Sequence, residues 1–241
     1  TSAERRREVL QGLGCTYRSW GLALRNRRDT SDRAAGYFEQ ARAWIVQALA
    51  IASQAQPALI QMDIHDDLAS IYINEDVYDQ RVYQHLDQIE QLTPPVYRVE
   101  PGRGLRGTNR PVYGFWRELG QSHLHRMLCG FGKYDFGWYT LADDGQRTLV
   151  HIGNKADLHE AGRHLLLTLA YLLQYTHSST MLDRAMQLTL RELRLRSEDD
   201  LKLIAQEIYR TAREYRLVDS QAQRLAERLI DQAHADMGIG F

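Results

Sequence analysis

Where this chain lacks proline constrains its fold more than any residue it contains. Its five prolines stand at positions 57, 94, 95, 101 and 111, and none follows Pro111. Proline inside a helix removes a backbone donor and clashes with the preceding turn, costing about 3 kcal/mol. The second half of the chain is therefore free to be helical almost throughout. Apolar residues recur there at spacings of three and four, the helical period, as in Leu201, Ile204, Ala205 and Ile208. Ala41, Ile45, Ala48, Leu49 and Ala52 make a similar stripe in the first half. Start signals fall where such stripes begin: Ser197 precedes Glu198, Asp199 and Asp200, and Asp219-Ser220 opens the last stripe. Together these predict helices near 4–27, 33–55, 58–74, 77–92, 112–130, 155–176, 179–196, 198–217 and 219–236. Residues 94–111 read as a Pro/Gly/Arg loop that is mobile and cut first by proteases between Arg98 and Arg110. Within 133–154, Asp143-Asp144-Gly145 between β-prone runs predicts a small hairpin, with a short helix over 133–142 as the alternative.

The charge balance narrows the partners. Thirty basic side chains face 31 acidic ones, a net charge of −1, where a dedicated nucleic-acid binder carries a basic excess. The longest apolar run, Leu165 to Leu173, falls short of the roughly 18 residues that a membrane span needs. Cys15 and Cys129 are too few and too far apart for a disulfide framework, so a reducing, cytoplasmic setting is expected. The chain opens Thr1-Ser2 without a leader-like segment, and reads as a single helical domain over 1–241 cut from a longer protein.

Internal self-similarity takes the fold further. Leu10-x2-Leu13-Gly14-x2-Tyr17 is echoed by His65-x2-Leu68-Ala69-x2-Tyr72 and Trp116-x2-Leu119-Gly120-x2-His123. Weaker echoes are Leu166-x2-Leu169-Ala170-x2-Leu173 and Leu201-x2-Ile204-Ala205-x2-Ile208. A complementary pattern, Ala34-x3-Phe38-x2-Ala41, recurs as Ala226-x3-Ile230-x2-Ala233. Small residues in these patterns let helices approach closely, and large ones fill the remaining gap. In both halves the chain resembles the tetratricopeptide-repeat family, along nearly its whole length. The anchors at 10, 65, 116, 166 and 201 are 55, 51, 50 and 35 apart, against a repeat of about 34 in the family. Long helices and inserted loops would absorb the excess.

The resemblance implies an all-α fold, an α-solenoid of about five helical hairpins whose first helices line a recognition groove. It implies protein or peptide binding and no catalysis. Carried over onto this sequence, the groove-facing positions are Gln11, Arg18, Asp66, Asn74, Arg117, Gln121, His125, His164, Tyr171, Gln174 and Tyr175. Sensor or scaffold arms of signal-transducing ATPases are the most similar architecture, with another domain of the same chain as one conceivable partner. The alternative partner is nucleic acid, whose phosphates Arg98, Arg103, Arg106 and Arg110 would meet.

Other motifs carry no chemistry. Gly102-x-Gly104-x2-Gly107 spells a dinucleotide fingerprint but lacks the strand before it and the helix after it. His123 and His125 point about 200° apart on a helix, so only His125 and Cys129 share a face, too few for a structural metal. His65-Asp66-Asp67 resembles the His-Asp pair of metal-dependent phosphohydrolases, but no histidine precedes it. Neither a nucleophile elbow nor a phosphate-binding Gly-Lys-Ser/Thr loop is present. No cofactor or metal is expected.

Overall fold

The computed structural model describes residues 2–25, 31–75, 77–104, 111–132, 157–175 and 179–237, with the backbone of 138–141 and 147–151. Nine α-helices lie among the described residues: α1 (Ser2–Arg25), α2 (Ser31–Ala55), α3 (Ala58–Asn74), α4 (Gln80–Leu92), α5 (Tyr113–Gly132), α6 (Leu158–Gln174), α7 (Ser179–Leu193), α8 (Glu198–Glu214) and α9 (Gln221–Met237). None is long and apolar enough to cross a membrane. Two short strands, β1 (Trp138–Leu141) and β2 (Arg147–His151), pair antiparallel with Tyr139 opposite Leu149. The Asp143-Asp144-Gly145 turn expected between them lies outside the described residues.

Local chemistry sets the helix ends. Asp79 accepts the Arg81 N–H to start α4, and Asp157 accepts the Glu160 N–H to start α6. Ser197 and Asp200 cap α8 reciprocally, each side chain bonding the other's backbone N–H. Before α9, the Ser220 hydroxyl accepts the Gln223 N–H at 3.2 Å while the Gln223 amide oxygen accepts the Asp219 N–H at 3.0 Å.

Through α5 the helices pack as successive pairs. α1 lies on α2, α2 on α3, α3 on α4 and α5, and α5 on α6. Phe38, Ala41, Ile45 and Ala48 of α2 bury the α1–α2 seam. The two glycines that the repeat pattern places at helix crossings lie at close approaches. A Cβ on Gly14 would stand 2.4 Å from Ile45, and one on Gly120 would stand 2.5 Å from Leu172.

Beyond α5 the contacts widen. α6 packs on α5, α7, α8 and α9 together, so the last helices gather around it. Leu165, Leu166, Leu169 and Leu172 show why: α6 is apolar around most of its circumference, and such a helix is stable only when enclosed.

The 94–111 loop differs from expectation through Gly104. Tyr97 and Val99 are buried in the α5–α6 core, the Val99 N–H donates to the Tyr171 hydroxyl at 2.7 Å, and the Gly102 N–H donates to the Glu214 carbonyl at 2.7 Å. Apolar side chains spaced by two pull this segment inward, although its prolines and glycines allow only a single 3-10 turn, Pro95–Tyr97, and no α-helix. Residues 105–110, where the remaining expected cleavage sites fall, lie outside the described residues. Tyr171→Phe removes the only side-chain acceptor that the Val99 N–H has in this contact. It is expected to cost about 1–3 kcal/mol and to speed hydrogen exchange at Val99, which amide exchange by NMR would read.

Candidate functional site: a polar groove on α1, α3 and α5

Helical spacing assembles this surface. On α3, Asp63, Asp66, Asp67 and Ser70 stand three or four residues apart, so one face carries three carboxylates and a hydroxyl. Gln11, Cys15 and Arg18 form the matching row on α1. Arg117, Gln121 and His125 form another on α5.

The rows interlock. The Gln11 amide donates to Asp63 Oδ2 at 2.7 Å and to Asp67 Oδ2 at 2.9 Å, and its own oxygen accepts from Arg7 at 2.8 Å. Arg18 pairs with Asp67 at 3.1 Å. Arg117 bridges Asp63, at 2.7 Å, and Glu118, whose Oε1 accepts from Nε at 2.6 Å. His125 completes the seam, with Nδ1 3.1 Å from Asp66 and Nε2 3.2 Å from Ser70.

Burial tunes the ionisable groups. Glu118 is 2% exposed. Desolvation and the Asp66 carboxylate push its carboxyl up to about 8, against the pull of Arg117. Burial also raises Asp67, opposed by Arg18. The Cys15 thiol is pushed up to about 11 by burial and by Asp67. At neutral pH it stays a thiol rather than the thiolate that a nucleophile requires.

At one end of the groove a cavity of about 480 Å³ opens. Arg7, Tyr113, Arg117, Glu118 and Tyr175 line it together with the apolar Leu59 and Ile60. Cation, phenols and apolar surface therefore converge on one concavity, the composition of a binding pocket.

No protein-family model, curated protein or solved structure matches this chain.

Of the residues expected to face the groove, Gln11, Arg18 and Arg117 are joined by hydrogen bonds and ion pairs through Asp63 and Asp67, Asp66 and His125 lie 3.1 Å apart beside them, and Tyr175 lines the cavity. Gln121 is half-buried one turn beyond Arg117, and Gln174 is half-buried at the end of α6. Asn74 ends α3, where its carbonyl accepts from Arg25. Two assignments are corrected. Tyr171 is 3% exposed, with its ring stacked on His123. His164 turns to the other side of α5 and bonds His123. Both sit on α6, which is the packing partner of α5 and not the first helix of a further hairpin.

Two of the arginines expected to meet phosphate have partners within the protein. Arg98 donates to the carbonyls of Thr93, at 2.9 Å, and Gln91, at 3.2 Å, closing the end of α4. Arg103 pairs with Glu100 at 2.8 Å. Arg106 and Arg110 lie outside the described residues. Among the described residues no three His, Cys, Asp or Glu side chains are grouped to hold a metal ion.

Sequence reasoning missed Asp63, Glu118, Arg7 and Tyr113. The Asp63-x2-Asp66-Asp67 spacing was the available signal, because carboxylates sharing a helix face require cations from neighbouring helices.

Proposed function

We propose that this chain is a tetratricopeptide-like α-solenoid, with a small hairpin inserted over 133–154, that binds a protein or peptide segment along the α1–α3–α5 groove. The cavity framed by Tyr113, Arg117 and Tyr175 carries the reading. It offers two phenols and a guanidinium over apolar surface, and tyrosine and arginine are the side chains that most often dominate binding energy. The network behind it supports the same reading. Most charges along the seam are paired within the protein, so the groove is preorganised and a partner need not reorder it. In a larger signalling protein such an arm would serve as sensor or scaffold, with its partner supplied by another protein or by another domain.

Arg117 is unsuitable as a test, because reversing its charge would strand the buried Glu118 carboxyl beside Asp63 and Asp66. Peptides selected from a random display library on the wild-type chain should instead lose about tenfold or more affinity for the Tyr113→Ala/Tyr175→Ala variant. Helix content by circular dichroism should be unchanged. A library that yields no groove-dependent binder, or binders indifferent to both tyrosines, would overturn the proposal.

A further inference from the structure

A second cavity, of about 530 Å³, opens on the opposite side of α5, between α4, α6 and α8. Arg126 and Arg117 are nine residues apart, which turns them about 180° from each other on the helix. This cavity is layered by charge. Its floor holds His123, 6% exposed, and Arg126, 8% exposed, beside Tyr215. Arg163 reaches in from α6, bonding the Tyr215 hydroxyl and lying 3.2 Å from Glu214. The His123 ring meets His164 through an Nδ1–Nδ1 contact of 2.8 Å and stacks on Tyr171. Burial, and after it the Arg126 and Arg163 guanidiniums, holds His123 far below its usual range.

The mouth has the opposite sign. Asp87, Glu90, Asp157 and Glu160 stand around it. Asp87 and Glu90 share the single Arg126 guanidinium, at 2.5 and 3.4 Å. Glu160 accepts the Tyr83 hydroxyl at 2.8 Å, and Asp157 caps α6. Glu207, buried at 3% exposure, also lines the cavity, and its charge is met by Arg210 at 2.8 Å. A simple anion would have to settle behind four carboxylates, and a simple cation would have to sit beside two guanidiniums. Only a molecule bearing both charges satisfies both layers.

We infer that this cleft binds a small zwitterion, with its carboxylate or phosphate against Arg126, Arg163 and the His123–His164 pair and its ammonium among the acids of the mouth. The site is independent of the groove, and either can be right without the other.

Calorimetric titration with O-phosphoethanolamine and γ-aminobutyrate, against inorganic phosphate and ethylamine as single-charge halves, tests it. At least one zwitterion should bind about tenfold or more tightly than either half. The imidazole NMR signals of His123 and His164 should shift with it. Asp87→Asn removes the charge of an exposed carboxylate and with it one of the two anions that Arg126 faces. It should weaken the zwitterion and strengthen inorganic phosphate, a pair of opposite signs that misfolding does not produce. Arg163→Met should weaken both. The Tyr113→Ala/Tyr175→Ala variant should bind like wild type, which separates this site from the groove. No zwitterion binding at about 10 mM, or halves that bind as well as the whole, overturns the inference.

Discussion

His123→Phe is expected to remove about 2 kcal/mol of acid sensitivity between about pH 7 and pH 5. Burial, with Arg126 and Arg163 nearby, lowers His123 from 6.5 to about 3, and burial beside His85 lowers His65 to about 4. In the unfolded chain each would take a proton near 6.5. For a group lowered on folding, stability is present above the unfolded value and is lost as pH falls toward the folded one. The geometry gives the same sign. His65 and His85 meet Nδ1 to Nδ1 at 3.0 Å, as His123 and His164 do at 2.8 Å. Each contact needs one nitrogen bare, so double protonation breaks it. Glu118 acts in the opposite direction. Raised on folding, it stabilises below its ordinary range and loses that contribution as pH rises toward about 8. Glu118→Gln should therefore steepen the loss on acidification, while His123→Phe flattens it. Urea midpoints measured across this pH range would read both slopes. Equal slopes in wild type and His123→Phe would mean that His123 takes its proton as readily in the folded chain as in the unfolded one.

The helices were legible in sequence because their signals are local. Proline placement, apolar period and caps act within a few residues, and α3 spans its expected 58–74. The departures have local causes too. α4 was expected from 77 but starts at Gln80, where the Asp79 side chain claims the Arg81 N–H. α8 was expected to reach 217 but stops at Glu214. Arg216 adopts a positive φ of 51°, and the Leu217 N–H turns back to the Ala212 carbonyl at 2.7 Å. Glycine usually marks such a stop, and without one the sequence was silent.

The site was legible wherever a helix keeps its place in the pairing. Offsets from Leu10, His65 and Trp116 land on Arg18, Asp66, Arg117 and His125, all along one groove. The same offsets from Leu166 land on His164 and Tyr171, which serve the other side of α5 or the core. Apolar residues around most of α6 signal enclosure but cannot say which helices enclose it. That information is tertiary, as is the meeting of His123 with His164 across 41 residues.

Gly120→Leu should lower stability by about 3 kcal/mol, or about 6–12 °C in melting temperature for a chain of this size. A Cβ there would already lie 2.5 Å from Leu172 Cδ2 and 2.7 Å from its Cγ, and Leu172 is 2% exposed. The added side chain must displace Leu172 or push α6 away from α5. Neither is easy. α6 is backed by α8 and α9, and one helical span away a Cβ on Gly130 would lie 2.8 Å from the Ala161 backbone nitrogen. The helices are thus held together by backbone contact that cannot slide to make room. Gly12→Ala is the matched control. Nothing lies within 4 Å of a Cβ built there, and replacing an exposed helical glycine by alanine should stabilise by about 0.5–1 kcal/mol. Opposite signs at the two glycines, read by thermal melts of both variants, would locate the constraint in the α5–α6 crossing rather than in helix propensity. A Gly120→Leu chain that melts with wild type would mean that α5 and α6 do not meet there.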